Sequence, residues 1–342
     1  MTRIKFLFSR SHILFLLAVI IGILLPQAAE IASLLTYPAL AIILTITLLR
    51  FPRGFFHRHK PPLSGAIWGN VMNYLILGNL IIIASIFLIR EEGFWYGLVL
   101  VAAAPPAITI IPLGNMLRID KQSMFSGMAG TYLGAVLIAP LIGYGFLKFI
   151  PLDDPMSLIL AVFMLILLPL FLSWLAVNED WDKLIEDHKG HITDWCFFII
   201  FYALVSGTRY LVIHRPLDVV FMFVIAAVST FLLGFIINLV GNYYGTAKEK
   251  ISSLVFLGTM KNYGLAGAIA LNVFNKQAAL PALVFSVVMF VYTIWLKYKM
   301  GRDIYPDQTK GESIVNMFLR IATMLLDYLQ KVWKKVTDTK SK

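Results

Sequence analysis

Apolar residues fill this chain in long blocks, each closed by a short polar, basic or proline-rich interval. A bilayer core takes about 20 apolar residues per helix. Blocks that meet this requirement fall at 12–25, 29–49, 66–89, 94–117, 122–147, 156–178, 194–213, 217–241, 251–274 and 279–299. The pattern predicts an all-α membrane protein with ten transmembrane helices. The first block follows MTRIKFLFSRSH and has the look of a signal peptide's apolar core, but the many spans behind it make it a retained first helix. Past residue 300 the period changes. Ile314, Phe318, Ile321, Leu325, Leu329, Val332 and Val336 fall on one helical face, opposite Asn316, Arg320, Thr323, Asp327, Lys331 and Lys334. The segment 301–342 therefore reads as a cytoplasmic amphipathic tail lying on the anionic inner leaflet, with a partner-binding helix as the alternative.

Composition agrees with the pattern. Hydrophobic residues make up 59% of the 342 and charged residues 14%, where a soluble chain carries roughly 25% charge. The formal charge of +10 does not point to nucleic acid, because basic residues of membrane proteins collect in cytoplasmic loops. With both termini inside, Arg3, Lys5 and Arg10, the FPRGFFHRHK loop, Arg118, Lys121, Lys183, Lys189, Lys248, Lys250 and the basic tail are cytoplasmic. Only Arg90, Lys148, Arg209, Arg215 and Lys276 face outward. This arrangement predicts a multi-pass protein of the cell membrane. The single cysteine, Cys196, excludes a disulfide framework. No metal-ligand, nucleophile-elbow or phosphate-loop motif occurs, and all 19 carboxylates fall in loops, tails or span ends, so an enzyme is not expected.

Two spans break the pattern. The fourth reads FWYGLVLVAAAPPAITIIPLGNML, with Pro105, Pro106 and Pro112 each removing a backbone donor. The ninth contains LGTMKNYGLAGA, where Gly258 and Gly264 flank Lys261 about halfway through the membrane. A lysine at that depth costs about 2.5–3.5 kcal/mol on insertion scales and usually faces a cavity; it is too far from either end to snorkel. The interrupted spans are the fourth of spans one to five and the fourth of spans six to ten. Five is odd, so the halves would enter the membrane with opposite polarity: a first five-helix repeat at 1–150 and an inverted second repeat at 151–300. Paired interrupted helices in inverted halves mark a transporter's binding site.

These features resemble the bile acid:sodium symporter family of the bile/arsenite/riboflavin transporter superfamily. The resemblance rests on the ten-span plan, the proline-broken fourth helix and the stretch GTMKNYGLAGAIAL. Specific residues match only around 102–132 and 254–285. It implies that helices 4 and 9 are unwound where they cross, between a core and a panel domain. The family's ninth-helix motif is glutamate-x-glycine-x-glutamine-asparagine, in which the acid and the amide serve sodium. Here Leu257 takes the glutamate position, Lys261 the glutamine position, and Asn262 keeps the asparagine. The fourth-helix motif is likewise replaced by Pro106-Ala107-Ile108 and Ile111-Pro112. Asp120, Ser126 and Thr131 still correspond, but most sodium ligands are missing.

The resulting expectation is a secondary transporter of a small organic anion that works by alternating access without sodium. Lys261 replaces the coupling cation or carries a proton. Asn262, Thr259, Thr109 and Asn115 are expected to line the site, with Ser126, Thr131, Asn70 and Asn73 as further candidates; each asparagine could equally be an interhelical hydrogen bond. A sodium-coupled symporter using backbone and hydroxyl ligands is a second reading. A channel or non-transporting receptor is a third.

Overall fold

The computed structural model describes residues 10–49, 63–107, 109–117, 119–147, 168–181 and 185–304. The expected tail helix, the FFHRHK loop and the first part of the expected sixth span lie outside these residues. Among the described residues every regular element is helical. In chain order these are α1 (Arg10–Leu24), α2 (Ala29–Leu34), α3 (Thr36–Leu49), α4 (Leu63–Leu88), α5 (Glu92–Ala103) and α6 (Ile110–Met116). They are followed by α7 (Lys121–Leu147), α8 (Leu168–Asn178), α9 (Lys189–His214), α10 (Pro216–Tyr243), α11 (Lys248–Thr259), α12 (Tyr263–Val273) and α13 (Lys276–Ile304). Among the described residues five helices are long and apolar enough to cross a membrane; α1 and α2, bent by 95° at Leu25, make a sixth if counted as one span. Leu133, Leu137 and Leu141 on α7 and Leu217, Val220, Phe235 and Leu239 on α10 point outward, as helices bathed in lipid require. The protein is membrane-embedded.

The chain divides into two compact units, Leu14–Thr293 and a smaller one made of Met1–Ile13 with Ile294–Lys342. In the smaller unit, His12 and Lys297 are both buried. The larger unit contains everything described below.

Two kinds of packing build the larger unit. One is an apolar core in which Phe15 of α1, Leu40 and Ile43 of α3, Ile200 and Leu204 of α9, Ala268 of α12 and Ala279 of α13 meet. Phe15 stands edge-on to Phe201, with ring centroids 4.7 Å apart, and stacks on Phe290 at 4.9 Å. The other is a seam of small residues between the start of α4 and α7. A Cβ added to Gly69 would stand 2.6 Å from the Gly127 carbonyl oxygen, and one on Gly130 would stand 2.4 Å from the Ala66 Cβ. Lipid gives helices no hydrophobic reason to associate, so close backbone approach over small residues does that work.

Neither long helix beside the two breaks is uniformly α. α4 is wound as a π-helix over Val71–Gly78, and α10 over Val228–Leu232. Both π stretches pack against α11.

Candidate functional site

The expected interruptions are present in both helices. α5 stops at Ala103, because Ala104 precedes a proline and is pushed into extended conformation (φ −65°, ψ 142°). The chain resumes helical winding at Ile110. Pro105 and Pro106 occupy this break. Pro112 falls instead in the first turn of α6, where a missing N–H costs no helical bond. In the expected ninth span the break is Met260–Asn262, and it contains no glycine. Gly258 lies just inside α11, where a Cβ would come within 2.8 Å of Ile237 and 3.4 Å of Met72. Gly264 lies in the first turn of α12, beside Ile200 and Phe197. These glycines permit close packing next to the break; they do not make it.

The two breaks meet as an antiparallel bridge between Pro106 and Lys261. The Asn262 amide donates to the Pro105 carbonyl at 2.8 Å, and the Ala107 amide donates to the Met260 carbonyl at 3.1 Å. Pro106 thus sits at the non-hydrogen-bonded position of the pair, where its missing donor leaves the bridge intact. A second tie joins the same two spans at the far ends of α6 and α11. The Asp120 amide donates to the Glu249 carbonyl at 3.1 Å, and the Ser253 hydroxyl donates to the Asp120 carbonyl at 3.0 Å. Asp120 also caps α7, accepting from the Gln122 amide at 3.0 Å.

Lys261 is fully buried. Its Nζ donates to Asn73 Oδ1 at 2.8 Å, to the Ala102 carbonyl at 2.8 Å and to the Ala104 carbonyl at 2.9 Å. It also stands 4.9 Å from the centre of the Tyr74 ring. Three acceptors match the three N–H donors of an ammonium; a neutral amine would turn a lone pair onto one of them. Two of the acceptors belong to the C-terminal end of α5, the negative pole of that helix, and the aromatic face adds a further attraction for a cation. None of these partners is a carboxylate. The arrangement holds a cation by neutral oxygens, and the cation is part of the chain.

Asn73 serves both sides. Its Oδ1 receives Lys261, while its Nδ2 donates to the Leu257 carbonyl at 3.2 Å, in the last turns of α11. The next residue, Tyr74, donates from its hydroxyl to the Thr131 carbonyl on α7 at 3.0 Å.

On the opposite side of the bridge the polarity reverses. Asn262 is the N-cap of α12, its Oδ1 accepting from the Leu265 amide at 3.1 Å. Its Nδ2 is buried and makes no hydrogen bond, and the Thr109 hydroxyl before α6 is likewise buried without a partner. The Tyr132 hydroxyl of α7 donates to the Pro106 carbonyl at 3.1 Å, beside the Asn262 side chain.

The remaining candidates are spent elsewhere. Thr259 donates to the Val255 carbonyl at 2.6 Å within its own helix. Thr131 donates to the Gly127 and Met128 carbonyls, both at 2.9 Å. Ser126 donates to Ser123 O at 3.3 Å and packs against Gly65 in the α4–α7 seam. Asn70 donates across the same seam to the Gly130 carbonyl at 2.9 Å, an interhelical bond. The side chain of Asn115 lies outside the described residues. The structure adds four groups that sequence reasoning missed: the carbonyls of Ala102 and Ala104, Tyr74 and Tyr132. One had a signal, since Pro106 has no N–H for the carbonyl four residues back, which is that of Ala102. Among the described residues no group of three or more His, Cys, Asp or Glu side chains is placed to hold a metal. No protein-family model matches this chain, and a search of curated proteins finds no match.

Proposed function

We propose that this protein is a secondary transporter of a small organic anion, built on the plan of the bile acid:sodium symporter family and working without sodium. One observation carries the reading: the Lys261 ammonium takes three neutral oxygens at 2.8–2.9 Å in the way a bound monovalent cation would. The charge that such a transporter would draw from solution is supplied by a side chain. The buried, unpartnered Asn262 Nδ2, at the N-terminal pole of α12, and the Thr109 hydroxyl are donors an anion could use. The ammonium, with no carboxylate partner, adds a favourable potential.

In this reading the chain has ten spans in two inverted five-helix repeats, with both termini in the cytoplasm. Two pairs of like features support the repeat. The expected fourth and ninth spans are both interrupted, and the expected third and eighth are both π-wound at mid-length. Between the two roles considered for Lys261, its saturated hydrogen bonding favours a fixed internal cation over a proton carrier.

The test is uptake into proteoliposomes from a panel of radiolabelled organic acids, with and without sodium and across pH. Saturable uptake with counterflow that persists without sodium and falls in Lys261→Ala is expected. Uptake abolished by removing sodium, yet untouched by Lys261→Ala, would sink the reading. Flux without saturation or counterflow would make the protein a channel.

A further inference from the structure

A π turn is wider than an α turn and appears mostly as single turns inside α-helices, at functional positions. The eight-residue π stretch Val71–Gly78 in α4 therefore needs something that holds it. The side chains within it show what does. Asn73 reaches out of the stretch to Lys261 Nζ at 2.8 Å and to the Leu257 carbonyl at 3.2 Å. Tyr74, the next residue, reaches in another direction to the Thr131 carbonyl at 3.0 Å. Gly78 closes the stretch, and a Cβ there would stand 3.1 Å from the Ala102 carbonyl oxygen, one of the acceptors of Lys261. The π stretch, the end of α5 and the second break thus share one set of hydrogen bonds.

We propose that Val71–Gly78 is a winding switch held by the Lys261–Asn73 bond. While the ammonium holds Asn73, the stretch stays π-wound; when that bond is lost, it relaxes to α winding. Taking one surplus residue out of the winding shifts the helix beyond it by about 100° and 1.5 Å, one residue's worth of α-helix. That half of α4, Asn79–Leu88, packs against α5 and the start of α10, so the change at Lys261 would be delivered to both. The proposal concerns the winding of one helix and stands whether or not the protein transports an anion.

The second π stretch, Val228–Leu232, is the comparison, its Thr230 standing beside the Tyr263 side chain at the start of α12. Its Ser229 hydroxyl bonds within its own helix, to the Ala226 carbonyl at 3.2 Å. The experiment is to determine the structures of full-length Lys261→Met, Asn73→Leu and Asn73→Asp proteins in lipid nanodiscs. Expected are α winding over 71–78 in the first two, retained π winding in Asn73→Asp, which keeps an acceptor for the ammonium, and an unchanged 228–232 stretch in all three. Retained π winding over 71–78 in either Lys261→Met or Asn73→Leu overturns the proposal, as does α winding in Asn73→Asp. If Lys261→Met does not fold, Asn73→Leu, which leaves the lysine in place with its two carbonyls, decides alone.

Discussion

The two breaks that meet at the Pro106–Lys261 bridge are made by opposite means. The first is written into the backbone: Pro105 and Pro106 forbid continued winding, and the carbonyls of Ala102 and Ala104 are left without helical partners. The second holds no proline and no glycine. Met260, Lys261 and Asn262 are residues that a helix tolerates, and they leave it because other groups compensate. Asn262 caps α12 and donates to Pro105 O, and Lys261 sends its ammonium to the acceptors the first break set free. One break is self-sufficient; the other exists only in contact with it. A lysine that would cost about 2.5–3.5 kcal/mol alone at mid-membrane thereby becomes the bond that joins them.

Substitutions can test this asymmetry. The largest effect is expected for Lys261→Ala, which leaves three buried acceptors unpaired. A loss of about 3–5 kcal/mol, from about 1–3 kcal/mol for each buried acceptor left unpaired less the cost of burying the ammonium itself, should appear as a large drop in thermal unfolding temperature in nanodiscs. A loss below about 1 kcal/mol would mean the ammonium does not staple the breaks. Asn73→Leu removes one acceptor of Lys261 and the donor to Leu257 O, with about 2–3 kcal/mol expected in the same measurement.

Asn262→Ala should be milder in stability, about 1 kcal/mol for a lost N-cap. In transport it should raise the half-saturating concentration of the anion tenfold or more, whereas Asn70→Ala, in the α4–α7 seam, should leave that concentration unchanged. Equal effects would remove Asn262 from the anion site. Pro106→Ala restores an N–H at a buried position where the bridge makes no bond. A loss of about 1 kcal/mol, the low end for an unpaired buried donor, is expected, and a gain in stability would show that the new N–H finds the Ala102 carbonyl.

The long apolar blocks and the first break were legible residue by residue, because each is a local property. Glycine proved a poorer guide. Gly258 and Gly264 sit beside the second break for reasons of packing, and Pro112 falls in a helical first turn. Ser126, Thr131 and Thr259 are plausible ligands on paper, but a hydroxyl in a membrane helix can bond its own backbone, and all three do. Asn70 and Asn73 share one helical face in sequence; the π winding and the neighbours of each separate them, one to a seam, the other to the lysine.

By itself the sequence determined that this chain lives in a bilayer, that the segment around Pro105 and Pro106 is broken, and that Pro106 cannot serve the Ala102 carbonyl. Only the tertiary structure decided which group would. The donor that came is Lys261, 159 residues away along the chain, and no local rule connects the two. Burial forces the pairing: in a medium without water, a free carbonyl and a lone ammonium each cost several kcal/mol, and together they answer one another.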